Sequence, residues 1–430
     1  MKSDKNIREG YKRTAVGVIP EEWEVKKLGK IAQEKGVIRG PFGGALKKEI
    51  FEIDGKYKVY QQRNAIYDDL KIGDYFINED DFNRLKRFSI KENDFLISCS
   101  GTIGKITHVK EDFQQGVINQ ALLIFRTNNN ISDSYFYQLF NSHKVQYKLL
   151  DYTQGGAMKN MVGMKEFKEI YLPIPPLPEQ QAIANCLTTW DNGIEKLTQL
   201  IATKREQKKG LMQQLLTGKK RLDGFVGEWK EIKLGNIGTF RTSSVNKKIE
   251  KDETKVWLLN YMDVYNNTHI TSKIDFQLTS AKNTQIASSN LEIGDVLFTP
   301  SSETPDDIGH SAVVTENLDN VVFSYHLVRF RPKRNILNIG FSGYVFNKTE
   351  ILNEFSRRAT GSTRYTLSLK DFNEVVTTIP PLEEQTAIAH ILTTADQEIS
   401  LLEAKLAAMK EEKKGLMQVL LTGEKRLIDS

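Results

Sequence analysis

The stretch KKGLMQQLLTGKKRL, ending at Leu222, returns almost unchanged as KKGLMQVLLTGEKRL, ending at Leu427, 205 residues later. Residues 174–222 align with 379–427 without a gap, and 30 of the 49 positions are identical. A match of that length at a fixed offset is an internal duplication, and it restricts the chain to architectures made of two copies of one unit. Fainter echoes precede it: WEVKKLGKIA from Trp23 resembles WKEIKLGNIG from Trp229, and MKEFKEIYLPIPPL resembles LKDFNEVVTTIPPL. The repeat unit is therefore about half of the 430 residues. Within it the tail is well matched and the body hardly at all, which separates a shared framework from a divergent part that differs in what it binds.

The matched tails carry the spacing of long helices. Pro178 sits where a first helical residue belongs, Glu179 places negative charge in the first turn, and Gly218 stands where a C-terminal cap ends the run. Between them Ile183, Leu187, Trp190, Ile194, Leu197, Ile201, Lys204, Lys208, Leu211 and Leu215 alternate by fours and threes, the seam of a coiled coil. The second copy keeps that register with Ile388, Leu392, Ala395, Ile399, Leu402, Leu406, Met409, Lys413, Leu416 and Leu420. A seam this long must be covered, and each helix offers the other a partner of equal length and period. The two are expected to pair as an antiparallel coiled coil, a rod of ~57 Å at ~1.5 Å per residue, with pseudo-twofold symmetry between the divergent domains. A helical hairpin inside one globular core is the alternative; the long intervening domain and the unbroken heptads weigh against it.

The predicted fold class is α+β, two domains in tandem, each followed by a long helix. The predicted boundaries are 1–172 for the first domain, 173–222 for its helical region, 223–377 for the second domain and 378–430 for the second helical region. Runs such as DFLIS, GVINQALLIFR, GDVLFT and VVFSYHLVRF lie between Gly and Asn/Asp turns and read as strands. SDSYFYQLFNSHKVQYKLL and FSGYVFNKTEILNEFSRR are the helix candidates of the divergent parts.

Few catalytic constellations are visible. CSGTIGK approaches the end of a phosphate loop, but Cys99 stands where its first glycine belongs and Ile106 where Ser or Thr is required, so it reads as a glycine turn. RGPFGGALKK lacks the spacing of a dinucleotide fingerprint and reads as a tight loop. His108, His143, His269, His310, His326 and His390 show no metal-site spacing, and Cys99 and Cys186 supply neither a disulfide framework nor a cysteine zinc site. No tetrapeptide of the NPPY kind used by DNA amino-methyltransferases is present. No window is apolar enough for a membrane span and the first residues lack the core of a signal peptide, so a cytoplasmic location without membrane contact is expected.

The net charge of +5 permits a nucleic-acid partner. Basic and amide residues near predicted turns suit phosphate contacts and base-edge hydrogen bonds. In the first domain these are Arg39, Lys47, Lys48, Gln61, Arg63, Asn64, Arg84, Lys86, Arg87, Lys159 and Asn160. In the second they are Arg241, Ser243, Ser244, Asn246, Lys247, Lys248, Arg357, Arg358, Arg364 and Tyr365. For each one taken singly, the plainer reading is a solvated side chain.

LPIPPLPEQQAIANCL, its copy TIPPLEEQTAIAHIL and the two KKGLMQ endings resemble the conserved regions of type I restriction-modification specificity subunits. The openings GVIPEEWEVKKLGKI and FVGEWKEIKLGNI, with RGPFGGALKK after the first, resemble the starts of that family's target recognition domains; FRTSSVNKK in the second domain departs from the glycine-rich pattern. The resemblance covers the whole chain and implies a non-catalytic DNA reader. It implies that each variable domain recognises one half of a bipartite double-stranded DNA target, and that the paired helices set the gap and dock two methyltransferase subunits. Restriction subunits complete such complexes, and S-adenosylmethionine, ATP and Mg belong to those partners, with no cofactor or metal in this chain. Two rivals stand beside this reading. One is a coiled-coil adaptor whose variable domains bind protein; the other, ranked last, is a nuclease built on isolated acids such as those in ENDFLIS and GDVLFT.

Overall fold

The computed structural model describes residues 7–151 and 163–427. The chain divides into two compact units, one built from Met1–Leu197 with Lys405–Ser430 and the other from Thr198–Ala404.

In the first unit an antiparallel four-stranded sheet has the order Ala32–Arg39, Leu122–Thr127, Phe95–Ser98, Ile106–His108. A three-stranded sheet has Tyr57–Tyr60 at its centre, antiparallel to Phe76–Ile77 and parallel to Gly116–Ile118. A third pair joins Glu24–Lys27 to Tyr171–Ile174, and a hairpin of Tyr11–Thr14 and Gly17–Pro20 stands before them. The core is aromatic: Phe95, Phe125, Phe136, Phe140 and Phe167 pack with Trp23, with Ile183, Ala184 and Leu187 of one long helix, and with Leu420 and Leu421 of the other.

The second unit repeats this plan. Gly238–Thr242, Val328–Pro332, Val296–Phe298 and Ser311–Val314 make the same antiparallel sheet, extended by His269–Ile270. Thr254–Leu259 lies between antiparallel Gln277–Ala281 and parallel Val321–Phe323, and Lys230–Lys233 pairs with Val376–Ile379. Two divergent sequences thus build one topology. Matching ion pairs fix its register: Arg126 donates Nε to Asp94 at 2.6 Å, and Arg331 donates Nε to Asp295 at 2.7 Å, with both carboxylates buried. Asp94 of ENDFLIS and Asp295 of GDVLFT are therefore structural, each also accepting a backbone N–H three residues upstream, from Lys91 or Glu292.

One reading needs correction in detail. GVINQALLIFR reads as one β-rich run in sequence, yet it forms two strands in different sheets, with residues 119–121 turning between them. The two helix candidates are likewise each a pair, Asp133–Phe140 with His143–Asp151 and Ile339–Val345 with Thr349–Arg358.

The long helices run Leu177–Leu215 and Leu382–Leu420. Gly218 and Gly423 follow their ends at φ +70° and +73°, the left-handed region that glycine enters without a Cβ clash. In the first unit Asp191 pairs with Lys413 at 2.5 Å and Glu179 with Arg426 at 2.6 Å; in the second Lys204 pairs with Glu398 at 2.6 Å and Lys208 with Asp396 at 2.5 Å. One partner's number falls as the other rises, so helix contacts within each unit are antiparallel. Ile183, Leu187, Leu197, Ile201, Leu215, Ile388, Leu392, Ile399 and Leu420 are buried. Trp190, Ile194, Leu211, Leu402, Leu406, Met409 and Leu416 are partly buried. The lysines at seam positions, Lys208 and Lys413, are thus neutralised by aspartates of the facing helix.

The repeated endings have a specific use. In the first unit the Glu179 carboxylate, 1% exposed, accepts from Trp23 Nε1 at 2.8 Å and from Arg426 Nε and Nη2 at 2.6 and 2.8 Å. In the second Glu384 accepts from Trp229 Nε1 at 3.1 Å and from Arg221 Nε and Nη2 at 3.1 and 2.6 Å. The arginine of each KRL ending therefore clasps the start of the other copy's helix. The adjacent glutamines act alike: Gln180 accepts from Ser132 N and donates to Asn130 O and Pro175 O, and Gln385 accepts from Asn338 N and donates to Ile336 O and Pro380 O.

Candidate nucleic-acid interface

In each unit the strand register gathers a cluster of loops at one end of the larger sheet. Leu123 pairs with Arg39, Leu122 with Ser98 and Ile97 with Ile106, so residues 40–48, 99–105 and 119–121 emerge together. The first of these loops meets the third closely, since a Cβ on Gly40 would lie 1.9 Å from Asn119 O. In the second unit Thr242 pairs with Val328 and Phe298 with both Val328 and Ser311, which gathers residues 243–249, 299–310 and 324–327.

In the first cluster, Arg39 is half-buried and its Nε has no partner among the described residues. Lys47 and Lys48 are exposed. Gln62 Nε2 donates to Ser100 O and, at 3.1 Å, to Thr102 O, which ties the short helix Gln62–Ile66 to the CSGTIGK turn. That turn has Gly101 and Gly104 at φ +62° and +76°. Burial pushes the Cys99 thiol up to about 12, so it is no nucleophile. Arg63 is half-buried and lies 4.0 Å from Asp74. Gln61 is half-buried and its N–H donates to Asn64 Oδ1 at 2.8 Å.

Asn64 is a correction. It is 0% exposed, and its amide donates to Asp69 O and Ile72 O at 2.9 and 2.6 Å, so it caps a turn and has no surface to offer DNA. Arg84 bonds Asp81 at 2.7 Å and Ala45 O at 3.1 Å. Lys86 and Arg87 are exposed away from the cluster; Arg87 lines a polar cavity of about 1070 Å³ with Lys35, Lys91 and Arg126, at the opposite end of the sheet. Lys159 and Asn160 lie outside the described residues.

In the second cluster, Arg241, Ser244, Asn246, Lys247 and Lys248 are exposed. Asn246 Oδ1 accepts from Lys248 N at 2.8 Å, Gln285 Nε2 donates to Ser244 Oγ at 3.1 Å, and the Ser243 and Ser289 hydroxyls are 2.9 Å apart. The loop is thus held by side chains while its lysines remain outside. Arg364 donates Nη2 to Ser301 Oγ at 3.1 Å, beside the pairing of Tyr365 with Ser302. Arg357 and Arg358 both pair with Glu354.

Several groups of these clusters carried no signal in the sequence. Tyr325 is 49% exposed, and its ring lies 3.8 Å from that of His326. Burial, then the positive charges of Arg364 and Lys247, hold His326 below the usual imidazole range. Tyr265 donates its hydroxyl to Asp307, which also bonds His310 Nε2 at 2.9 Å. Among the described residues, no three His, Cys, Asp or Glu side chains come together as a metal site, and no helix is long and apolar enough to cross a membrane.

A family model described as the type I restriction modification DNA specificity domain matches the chain twice, over residues 20–204 and 227–411. The type I restriction enzyme MjaVIII specificity subunit of Methanocaldococcus jannaschii is 25% identical over 421 residues, covering 95% of this chain and 94% of that one. The crystal structure of the type I restriction-modification system S subunit from M. genitalium has a TM-score of 0.51 at 16% identity, covering 93% of this chain and 96% of that one. A structure reported for complex assembly and conformational transition of the type I R-M system reaches 0.62, also at 16% identity, over 95% and 99% of the two chains.

Proposed function

The chain belongs to the type I restriction modification DNA specificity family, and from that premise we propose that its two recognition domains each read one half of a bipartite, asymmetric target in double-stranded DNA. It is a specificity subunit with two recognition domains and is not itself the enzyme. We assign the recognition domains to 1–172 and 223–377 and the helical regions to 173–222 and 378–430.

One observation carries the reading. Two units of the same topology present different side chains from their loop clusters, Arg39, Lys47 and Lys48 in one and Lys247, Arg364 and Tyr325 in the other. Equal scaffolds with unlike surfaces are what two unlike half-sites require. The long helices are the docking surface for two methyltransferase subunits, a role supported by Leu200 and Leu401, which are 42% and 72% exposed on them. S-adenosylmethionine, ATP and Mg belong to the methyltransferase and restriction subunits.

The test is to co-express the chain with its methyltransferase subunit and map methylated adenines in the host DNA by single-molecule sequencing. A motif with two unlike halves and a constant gap is the expected result. A stable complex that leaves DNA unmethylated and binds it without salt dependence would favour the adaptor reading, since phosphate contacts weaken steeply with salt.

A further inference from the structure

Within the loop clusters, one turn occupies the same place in both units. Asn119 N donates to Tyr60 O at 2.9 Å, and Ser324 N donates to Leu259 O at 3.0 Å. Seven residues on, Arg126 and Arg331 close the equivalent ion pairs with Asp94 and Asp295. The register is therefore pinned on both sides of the turn at the constant offset of 205, and Gln120 stands where the second unit has Tyr325, Ala121 where it has His326.

These substitutions change surface chemistry while the backbone stays tied. Gln120 is exposed and its amide has no partner among the described residues. A free carboxamide offers a donor and an acceptor side by side, the pattern that matches N7 and the N6 amino group of adenine. Tyr325 offers a half-exposed ring and hydroxyl, backed by the His326 ring at 3.8 Å. Its backbone N–H donates to Val245 O at 3.0 Å, which anchors it beside the loop carrying Lys247. Among the described residues Lys247 forms no ion pair and the Arg364 guanidinium bonds only the neutral Ser301 hydroxyl. An aromatic tip anchored beside the loop that carries Lys247, with Arg364 also in electrostatic reach of His326, has the layout of a base-reading element flanked by phosphate-binding cations.

We propose that the turns at 119–121 and 324–326 are the base-reading elements of the two recognition domains, and that Gln120 and the adjoining Tyr325–His326 ring pair set the difference between the half-sites. The proposal rests on the reading of both domains as DNA binders. Gln120 contacts an adenine edge in the major groove, Tyr325–His326 contacts base edges of the other half, and Lys247 and Arg364 hold the flanking phosphates.

The experiment uses the full chain in complex with its methyltransferase subunits, with three variants: Gln120→Ala, Tyr325→Gln combined with His326→Ala, and Lys247→Ala. Complex stoichiometry and thermal midpoint are measured beside the methylated motif. Gln120→Ala, at an exposed position, is expected to assemble normally and to lose about 5- to 150-fold in discrimination at one or two bases of one half-site. The other half and the gap stay as they were. The double variant does the same to the opposite half-site. Lys247→Ala weakens binding to all sequences alike and lowers the slope of log K against log salt by about 0.9. Motifs and discrimination unchanged within twofold in both tip variants overturn the proposal, as do losses spread evenly over both halves. A wild-type complex that methylates no bipartite motif overturns the functional reading itself, and this inference with it.

Discussion

Replacing Glu179 by Ala removes the carboxylate that holds Trp23 and Arg426 together. Breaking one member of a buried charge pair costs about 3–5 kcal/mol, because the other charge is left without its partner. Arg426 keeps 23% of its side chain exposed and retains Glu22 at 3.1 Å, so it rehydrates in part and its share falls to the low end of that range. Trp23 has no such relief: it is 0% exposed, and an orphaned indole N–H adds about 1–3 kcal/mol. A total of about 4 kcal/mol corresponds to a fall of about 8–16 °C in thermal midpoint for a unit of this size. Glu384→Ala should do less, since Arg221 is 32% exposed and the Trp229 bond is longer, 3.1 Å against 2.8 Å. Differential scanning calorimetry of the two variants and the wild type checks both statements. A shift under about 3 °C for Glu179→Ala, or a larger one for Glu384→Ala, refutes the argument from burial.

Inserting one heptad into either long helix should change the gap between methylated half-sites or abolish assembly; methylation at the original spacing would sink the idea that the helices act as a ruler. Lys348 is 9% exposed, among the described residues its ammonium bonds only Thr378 O, at 3.4 Å, and burial holds it below the usual lysine range. The unfolded chain therefore binds that proton more tightly, and stability should rise with pH from the lowered value up to about 10.5. Lys348→Met should flatten that rise and leave the midpoint at pH 7 unchanged or higher, as urea titrations at pH 7 to 10 would read; a lower midpoint at pH 7 would count against it. Lys47→Ala with Lys48→Ala should lower the salt slope of DNA binding by about 1.8 while the recognised motif stays the same, and an unchanged slope would remove that loop from the interface.

The duplicated helices were legible because a coiled-coil seam repeats its apolar positions in sequence, and each of those side chains is buried or half-buried in its unit. The common topology of the divergent domains was not, because it rests on pairs far apart in the chain. Asp94 and Arg126 are 32 residues apart, and only folding makes them partners. GVINQALLIFR reads as one strand since hydrophobicity is silent about which sheet a residue joins. Asn64 shows the limit at the site: an amide serves a DNA edge or a turn cap equally well, and burial decides between them. Tyr325 and Gln120 were hidden for the complementary reason, as nothing in their spacing distinguishes a tip residue from one in a strand.

The exchange of clasps has a temporal meaning. The second unit, Thr198–Ala404, is continuous in the chain, whereas the first waits for Lys405–Ser430. At ~5–20 residues per second of synthesis, Trp23 and Glu179 stand on the ribosome for roughly 10–50 s before Arg426 exists to join them. The amino-terminal unit is thus the last to close, and a chain cut short after the second unit would leave its first one open, with the faces that Leu420 and Leu421 cover exposed to water.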